Sequence, residues 1–340
     1  MLTRLGVETP FSPFLTHHKW IPHLVLTNPP PKKLKEGALL YPAYGQIIES
    51  PFDLSLLGLI PGRYSGDKPR PNIRITQSHG NKPFLGHVNN QTAVNSHYGY
   101  YYREGVAFYE FIQGKEIRVS PLTNNFDVDF VRILLNYPMA CLLYQQGYFL
   151  LHASAVAFRD KVFLFPGPSL CGKSTIAAYL VKNGGKLITE DTAAIAITDK
   201  GVFISPSYPL IKISAPANKY IALTKSKGVT FPQDNNARRG HFITSASFLK
   251  DPAKIDFCIF PEWSSNSALL EKSSFSLSLG KLLAASLSIY PLDKTKEKHL
   301  LAANAKFLRN VDAYIYKRGK SFSSLESLTK DLEAIQRNSA

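Results

Sequence analysis

A short stretch in the middle of the chain has the spacing of a phosphate-binding loop, G-x-x-x-x-G-K-[ST]. It reads Gly167-Pro168-Ser169-Leu170-Cys171-Gly172-Lys173-Ser174-Thr175. Glycine at both ends lets the backbone curl, so that consecutive N–H groups point into one concavity. There Lys173 would reach the β- and γ-phosphates of a nucleotide, and the hydroxyl of Ser174 would bind Mg²⁺. The predicted nucleotide-binding residues are Gly167, Ser169, Cys171, Gly172, Lys173, Ser174 and Thr175.

The segments on both sides of this loop favour nucleotide binding over a chance glycine-rich turn. Residues 162–165 are aromatic or aliphatic and predict a strand that runs into the loop, and residues 175–181 predict a helix that runs out of it. Gly184 and Gly185 would end that helix. Residues 186–189 then predict a buried strand that ends in Glu190 and Asp191.

The acidic pair at this strand end is a second element that could do chemistry. One carboxylate could hold Mg²⁺ beside the loop, and its neighbour could accept a proton from an attacking hydroxyl. The alternative is a plain turn, because residues 193–198 and 202–204 have the pattern of a hairpin. His152 opens the strand predicted at 152–158 and could lie near the phosphates, although on spacing alone a structural role is equally open.

Three segments, in this order and at this spacing, resemble the HPr kinase/phosphorylase-like family. They are His152-Ala153-Ser154-Ala155-Val156, the loop 167–175 and Glu190-Asp191. Segments 44–50 and 205–212 are similar to segments of bacterial HPr kinase-related proteins that are often associated with modified-peptide gene clusters. The resemblance is strong over about residues 150–213 and extends weakly from about residue 41 to the C-terminus.

The resemblance implies an α/β fold with a P-loop kinase core of the HPr kinase/phosphoenolpyruvate carboxykinase-like type. It also implies a serine kinase of proteins or peptides, with ATP and Mg²⁺ as cofactors. Carried over by residue, it makes Ser174 and Asp191 the ligands of Mg²⁺ and Glu190 the general base. His152 becomes a phosphate-side or base-assisting group, so the implied catalytic residues are Glu190, His152 and Lys173.

The chain departs from the family pattern at identifiable positions. Glu190 stands where the family has its first Asp, and Leu170-Cys171 replace the usual small residues of the loop. No segment matches the C-terminal part through which the HPr enzymes engage their carrier protein. We therefore expect a protein or peptide substrate without identifying it with HPr.

Composition changes along the chain predict three parts. Residues 1–36 are an irregular lead-in, residues 37–126 are a β-rich N-terminal domain, and residues 127–340 are the P-loop catalytic domain. Residues 106–112 and 117–120 predict a hairpin within the second part. In the third part we expect a helix over 127–146 that Pro138 interrupts, a strand at 255–260, a helix at 277–289, a strand at 314–317 and a terminal helix at 324–336.

Composition and charge narrow the class of protein. The 340 residues carry a formal net charge of +15, which a generally basic proteome explains as well as an anionic partner does. Such a partner could be nucleic acid, an anionic peptide or a nucleotide. Arg238 or Arg239 could stabilise a transferring phosphoryl group or receive such a peptide, or could belong to a solvated basic loop. The chain has no helix-turn-helix or RNP-type motif, so we expect no nucleic-acid partner.

No apolar run reaches the roughly 18 residues of a membrane span, so we expect no membrane partner. The three cysteines, Cys141, Cys171 and Cys258, are too few and too widely spaced for a disulfide framework, and a cytoplasmic location fits best. A homo-oligomer is left open.

Three hypotheses for the function follow from these observations. The leading hypothesis is a kinase, and the second is a nucleotide-binding switch or ATPase without a phosphoacceptor. The third, ranked last, is a nucleic-acid-binding protein.

Overall fold

The computed structural model of the protein describes residues 38–62, 69–78, 92–223, 229–231, 238–265, 268–287, 289 and 294–337. The lead-in predicted for residues 1–36 lies outside these residues. The described residues belong to one compact unit of mixed α/β structure with several sheets, as the sequence predicts. Within them, no helix is both long and apolar enough to cross a membrane. The predicted domain boundary at 126 stays a prediction.

The described strands between residues 39 and 121 form one seven-stranded mixed sheet, which confirms the β-rich N-terminal region. Its order is β1-β2-β3-β7-β6-β5-β4, and β3 runs parallel to both of its neighbours. The predicted hairpin is β6–β7. A 3₁₀ helix, Leu54–Leu57, follows β2. The strands are β1 (Leu39–Ala43), β2 (Gln46–Ser50), β3 (Ile73–Gln77), β4 (Thr92–Val94), β5 (Tyr98–Arg103), β6 (Ala107–Ile112) and β7 (Glu116–Pro121).

The helix predicted over 127–146 is two helices, α1 (Val128–Leu135) and α2 (Tyr137–Gln145), that meet at Asn136. Asp127 caps the first, because its carboxylate accepts the N–H groups of Asp129 and Phe130. Pro138 lies in the first turn of α2, where its missing N–H leaves no helical bond unmade. Both helices pack their apolar side chains into the core of the N-terminal sheet.

The described strands from residue 149 onward form a nine-stranded sheet and a small three-stranded one. The path of the large sheet is β16-β12-β11-β8-β9-β17-β19-β18, with β10 also paired to β8, and the small sheet has the order β13-β15-β14. A second 3₁₀ helix is Ser245–Ser247. The strands are β8 (Phe149–Phe158), β9 (Lys161–Pro166), β10 (Lys186–Thr189), β11 (Thr192–Thr198), β12 (Gly201–Ser205), β13 (Leu210–Ile213), β14 (Val229–Thr230), β15 (Arg239–Phe242), β16 (Ala253–Lys254), β17 (Phe257–Trp263), β18 (Leu269–Lys272) and β19 (Asp312–Arg318).

Helices cover both faces of the large sheet, and its central strands are therefore apolar on both sides. Along β9, Phe163 and Phe165 pack with α3 and α7 on one face, while Leu164 belongs to the core on the other face with Leu282 of α5 and Phe307 of α6. The helices are α3 (Lys173–Lys182), α4 (Ala215–Ile221), α5 (Phe275–Ala285), α6 (Lys294–Leu308) and α7 (Ser324–Arg337).

One tight turn of the N-terminal sheet reaches the edge of the large sheet. Tyr44 and Gly45 join β1 to β2, and both have a positive φ, as a two-residue hairpin turn requires. The Tyr44 hydroxyl is buried and donates to the Leu135 carbonyl at 2.6 Å, while its backbone N–H donates to the Pro206 carbonyl at 2.6 Å. This turn therefore ties the N-terminal sheet to the segments that surround the acidic pair.

Tyr44→Phe is expected to lower the free energy of unfolding by about 1–3 kcal/mol, because it removes a donor from a buried carbonyl. Tyr98→Phe is the matched control, since it removes a hydroxyl that donates to Glu110 at 2.8 Å on the exposed side of the sheet. Urea unfolding measures both. An equal loss of unfolding free energy in the two variants would show that the buried Tyr44 hydrogen bond stabilises the protein no more than the exposed one.

Candidate active site

The loop between β9 and α3 curls as the sequence predicts. Gly167, Leu170 and Gly172 have positive φ values of 154°, 68° and 101°, and α3 begins directly afterwards at Lys173. The loop thus leads into the positive end of a helix dipole, which favours an anion. The side chain of Cys171 turns inward, because a Cβ placed on Gly167 would meet its sulfur at 3.0 Å. Ser169 is exposed at the tip of the loop.

Lys173 is buried and lies across its own loop. Its Nζ donates to the carbonyls of Gly167 at 2.9 Å and Pro168 at 2.7 Å. Burial lowers the pKa of the Lys173 amine, and nearby negative groups act in the opposite direction. The amine is thus held where the loop would receive a phosphate.

Ser174 connects the loop to the acidic pair. Its hydroxyl donates to Oε1 of Glu190 at 2.6 Å. Glu190 is 1% exposed, and its second oxygen, Oε2, has no hydrogen-bond partner among the described residues. Burial first, and then the charge of Asp191, raise the pKa of Glu190 from 4.5 to about 7. A buried carboxylate oxygen beside a serine hydroxyl is a place where a cation would be stabilised.

Asp191 faces a different set of partners. It has a φ of 68° and lies between β10 and β11, both of which pair with β8. One carboxylate oxygen bonds the amine of Lys212, and the other is 4.0 Å from Nε2 of His152. Burial alone would raise the pKa of Asp191, but the charge and hydrogen bond of Lys212 outweigh it and lower the pKa to about 2.

His152 lies inside β8 rather than at its start, opposite Thr192 of β11. Its carbonyl accepts the N–H of Gly167 at 3.2 Å, so the strand and the loop meet at this residue. Burial, and then the charge of Lys173, lower the pKa of His152 from 6.5 to about 4. The imidazole is therefore neutral at neutral pH.

Positive charge exceeds negative charge around the acidic pair. The charge of Arg238, in addition to those of Lys173 and Lys212, acts on both Glu190 and Asp191. Of the two arginines that the sequence suggests, Arg238 is thus the one whose charge reaches the site. An excess of cations fits a polyanionic ligand.

The site suits a nucleotide with Mg²⁺. The described residues contain no group of three or more His, Cys, Asp and Glu side chains that could hold a metal ion by themselves. Mg²⁺ ordinarily takes one or two carboxylates and fills its other positions with phosphate oxygens and water. The Ser174 hydroxyl and the bare Oε2 of Glu190 are oxygens of the required kind.

The structure thus brings the predicted residues together. Gly167, Ser169, Cys171, Gly172, Lys173, Ser174 and Thr175 lie on the loop and the first turn of α3, next to Glu190, Asp191 and His152. Lys212 lies at the site but is not among the residues predicted from the sequence, although it belongs to the segment 205–212 that carries the family resemblance. A lysine between Ile211 and Ile213 in a fully buried strand was the available signal, because a buried lysine requires an anionic partner.

No protein-family model and no curated protein matches the chain. Among solved structures it is similar to the HPr(Ser) kinase/phosphatase from Coxiella burnetii, with 11% sequence identity and a TM-score of 0.29. That match covers 55% of this chain and 98% of the other. At this level of similarity the function has to be established from the residues of the site.

We predict that Glu190→Gln stabilises the ligand-free protein at pH 8 but not at pH 4.5. Because the pKa of Glu190 is higher in the folded protein than in the unfolded chain, the folded state binds the extra proton between about pH 4.5 and 7. The stability of the parent protein therefore falls as the pH rises through this window, by roughly 3 kcal/mol relative to the variant.

Urea unfolding in the presence of a chelator, at several pH values, measures this difference. Glu104→Gln, which makes the same substitution at an exposed glutamate, is the matched control for the effect of the substitution itself. A Glu190→Gln curve that runs parallel to the parent curve would contradict the prediction.

Proposed function

We propose that this protein is an ATP- and Mg²⁺-dependent P-loop kinase of the HPr kinase-like type that transfers the γ-phosphoryl group to a hydroxyl, a serine of a protein or ribosomal peptide precursor. The observation that carries the proposal is the hydrogen bond from Ser174, in the first turn of the helix after the loop, to the buried carboxylate of Glu190. This bond supports the proposal because phosphoryl transfer needs an element that holds phosphate next to an oxygen that can hold Mg²⁺.

The loop would hold the phosphates through its backbone N–H groups and the amine of Lys173. When bound, ATP supplies the phosphoryl group and Mg²⁺ neutralises the charge that develops on it. Lys173 would exchange its present bonds to the Gly167 and Pro168 carbonyls for phosphate oxygens. Arg238 would add positive charge where the phosphoryl group is transferred.

The contacts of Glu190 and Asp191 favour roles for them that differ from those implied by the family resemblance. That resemblance gives Mg²⁺ to Asp191 and the acceptor proton to Glu190. The contact between Ser174 and Glu190 favours Glu190 as the carboxylate that holds Mg²⁺ with Ser174. Asp191, kept ionised by Lys212, is then the group that accepts a hydrogen bond from the acceptor hydroxyl and orients it.

Neutral His152 lies beside Asp191 and can accept the proton that the hydroxyl loses. Orientation contributes most of the effect in this chemistry, because phosphoryl transfer depends on positioning and electrostatic stabilisation more than on a strong base. The choice of a serine acceptor rests on the family resemblance of the three segments around the site. The proposed cytoplasmic location rests on the number and spacing of the three cysteines.

The alternative is a nucleotide-binding switch or an ATPase without a phosphoacceptor. The position of Lys173 supports a switch, because its amine has to leave two carbonyls of the loop before it can reach a phosphate. A nucleotide-dependent switch would use such a rearrangement. The two functions differ in the fate of the γ-phosphoryl group, which passes to an acceptor in one case and to water or nowhere in the other.

The test is incubation of the purified protein with γ-labelled ATP, Mg²⁺ and an extract of the host cell, followed by mass spectrometry of labelled species. We expect a labelled protein or peptide whose labelling falls about 100-fold or more in Lys173→Ala and in Asp191→Asn. Lys182→Ala, at the exposed end of the same helix, is the control and should label normally. Release of phosphate without a labelled acceptor would support the ATPase, and labelling that survives Lys173→Ala would contradict the proposal.

A further inference from the structure

Two side chains at the ends of neighbouring strands lie on the other side of the loop from the acidic pair. Trp263 is the last residue of β17 and Arg318 is the last residue of β19, and the two residues are paired in register. Both strands run parallel to one another, and β17 runs parallel to β9, which leads into the loop. All three strands therefore end at the same edge of the sheet, where ligands of open α/β sheets bind.

Trp263 is attached directly to the loop. Its indole N–H donates to the carbonyl of Leu170 at 3.1 Å. A Cβ built on Gly172 would lie 3.8 Å from the edge of its ring and 3.8 Å from Cζ of Arg318. The Trp263 ring therefore lies next to Gly172, the residue before α3. The side chain is 45% exposed although β17 is an inner strand of the large sheet.

Arg318 packs against one face of the Trp263 ring. Its Cζ is 4.6 Å from the ring centroid, and the residue is only 1% exposed. Among the described residues its Nε and Nη1 have no hydrogen-bond partner, and burial lowers the pKa of the guanidinium. A buried cation of this kind is stabilised by the face of the indole. One face of Trp263 is therefore occupied by Arg318, and the exposed surface of the ring belongs to the other.

A nucleotide on this loop has two ends with different requirements. Its terminal phosphate has to lie near Ser174 and Glu190, on the side of β9 where β8, β10 and β11 are found. Its base therefore lies towards the opposite side, where β17 and β19 end. An exposed aromatic face that is fixed from behind is the kind of surface on which a base stacks.

We infer that the exposed face of Trp263, supported by Arg318, is the stacking platform for the base of the bound nucleotide. This inference rests on the proposed function, since it needs a nucleotide on the loop. It assigns to the end of β17 a contribution to affinity for the nucleoside part of the ligand and none to affinity for the phosphates alone. Inorganic tripolyphosphate, which has no base, is therefore the probe that separates the two contributions.

The experiment measures the dissociation constants of Mg·ATP and Mg·tripolyphosphate by calorimetry for the parent, Trp263→Leu and Trp263→Phe. We expect Trp263→Leu to weaken ATP binding about 10-fold or more relative to Trp263→Phe. Tripolyphosphate affinity should be equal in the two variants, since both lack the N–H that bonds Leu170. Tyr98→Leu, at an aromatic residue that is also 45% exposed, should bind ATP as the parent does.

Fluorescence gives a second readout that does not depend on affinity. The chain has two tryptophans, so Trp20→Phe leaves Trp263 as the sole tryptophan, whose emission is followed with excitation at a wavelength that tyrosine does not absorb. ATP should quench this emission, and tripolyphosphate should leave it within about a tenth of that change. Two results would contradict base stacking on Trp263: equal ATP affinity in the leucine and phenylalanine variants, or equal effects of ATP and tripolyphosphate on the emission. Neither result would contradict nucleotide binding to the loop. Failure of both ligands to bind the parent protein would overturn the proposed function and this inference with it.

Discussion

The proposed active site depends on two adjacent carboxylates, Glu190 and Asp191, that are buried beside the loop 167–175. Such burial is unfavourable unless each charge has a partner, and the chain supplies partners of two kinds. Asp191 has the amine of Lys212, whereas Glu190 has only the hydroxyl of Ser174 on one oxygen and nothing among the described residues on the other. This inequality gives the two carboxylates opposite pKa shifts and leaves Glu190 as the group that gains most from a bound cation.

The large sheet creates this arrangement by ending several strands at one edge. The antiparallel pair β8–β9 places His152 against the start of the loop, and the break between β10 and β11 places the acidic pair beside it. The parallel strands β17 and β19 add Trp263 and Arg318 on the opposite side. The N-terminal sheet approaches the acidic pair through Tyr44. The pKa of the Tyr44 hydroxyl is raised by burial and then by the charge of Asp191.

The parts of the structure that can be predicted from the sequence are those determined by neighbours along the chain. The loop, its strand and helix, the hairpins and the interruption near Pro138 depend on local spacing and turn chemistry. The helix Lys294–Leu308 is absent from the prediction because its first six residues are all polar, and its apolar residues begin only near its middle. The Asp191–Lys212 pair and the Trp263–Arg318 stack depend on which strands lie side by side, and that information appears only with the sheet order.

The most direct test of this account is the Mg²⁺ dependence of ATP binding in Glu190→Gln and Asp191→Asn, two neighbouring substitutions that each remove one charge and keep the shape. We predict that Mg²⁺ strengthens ATP binding to the parent and to Asp191→Asn. In Glu190→Gln the Mg²⁺ concentration that half-saturates this effect should rise about 10-fold or more, the scale of one lost metal contact. A larger rise in Asp191→Asn than in Glu190→Gln, or ATP binding to the parent that does not respond to Mg²⁺, would contradict it.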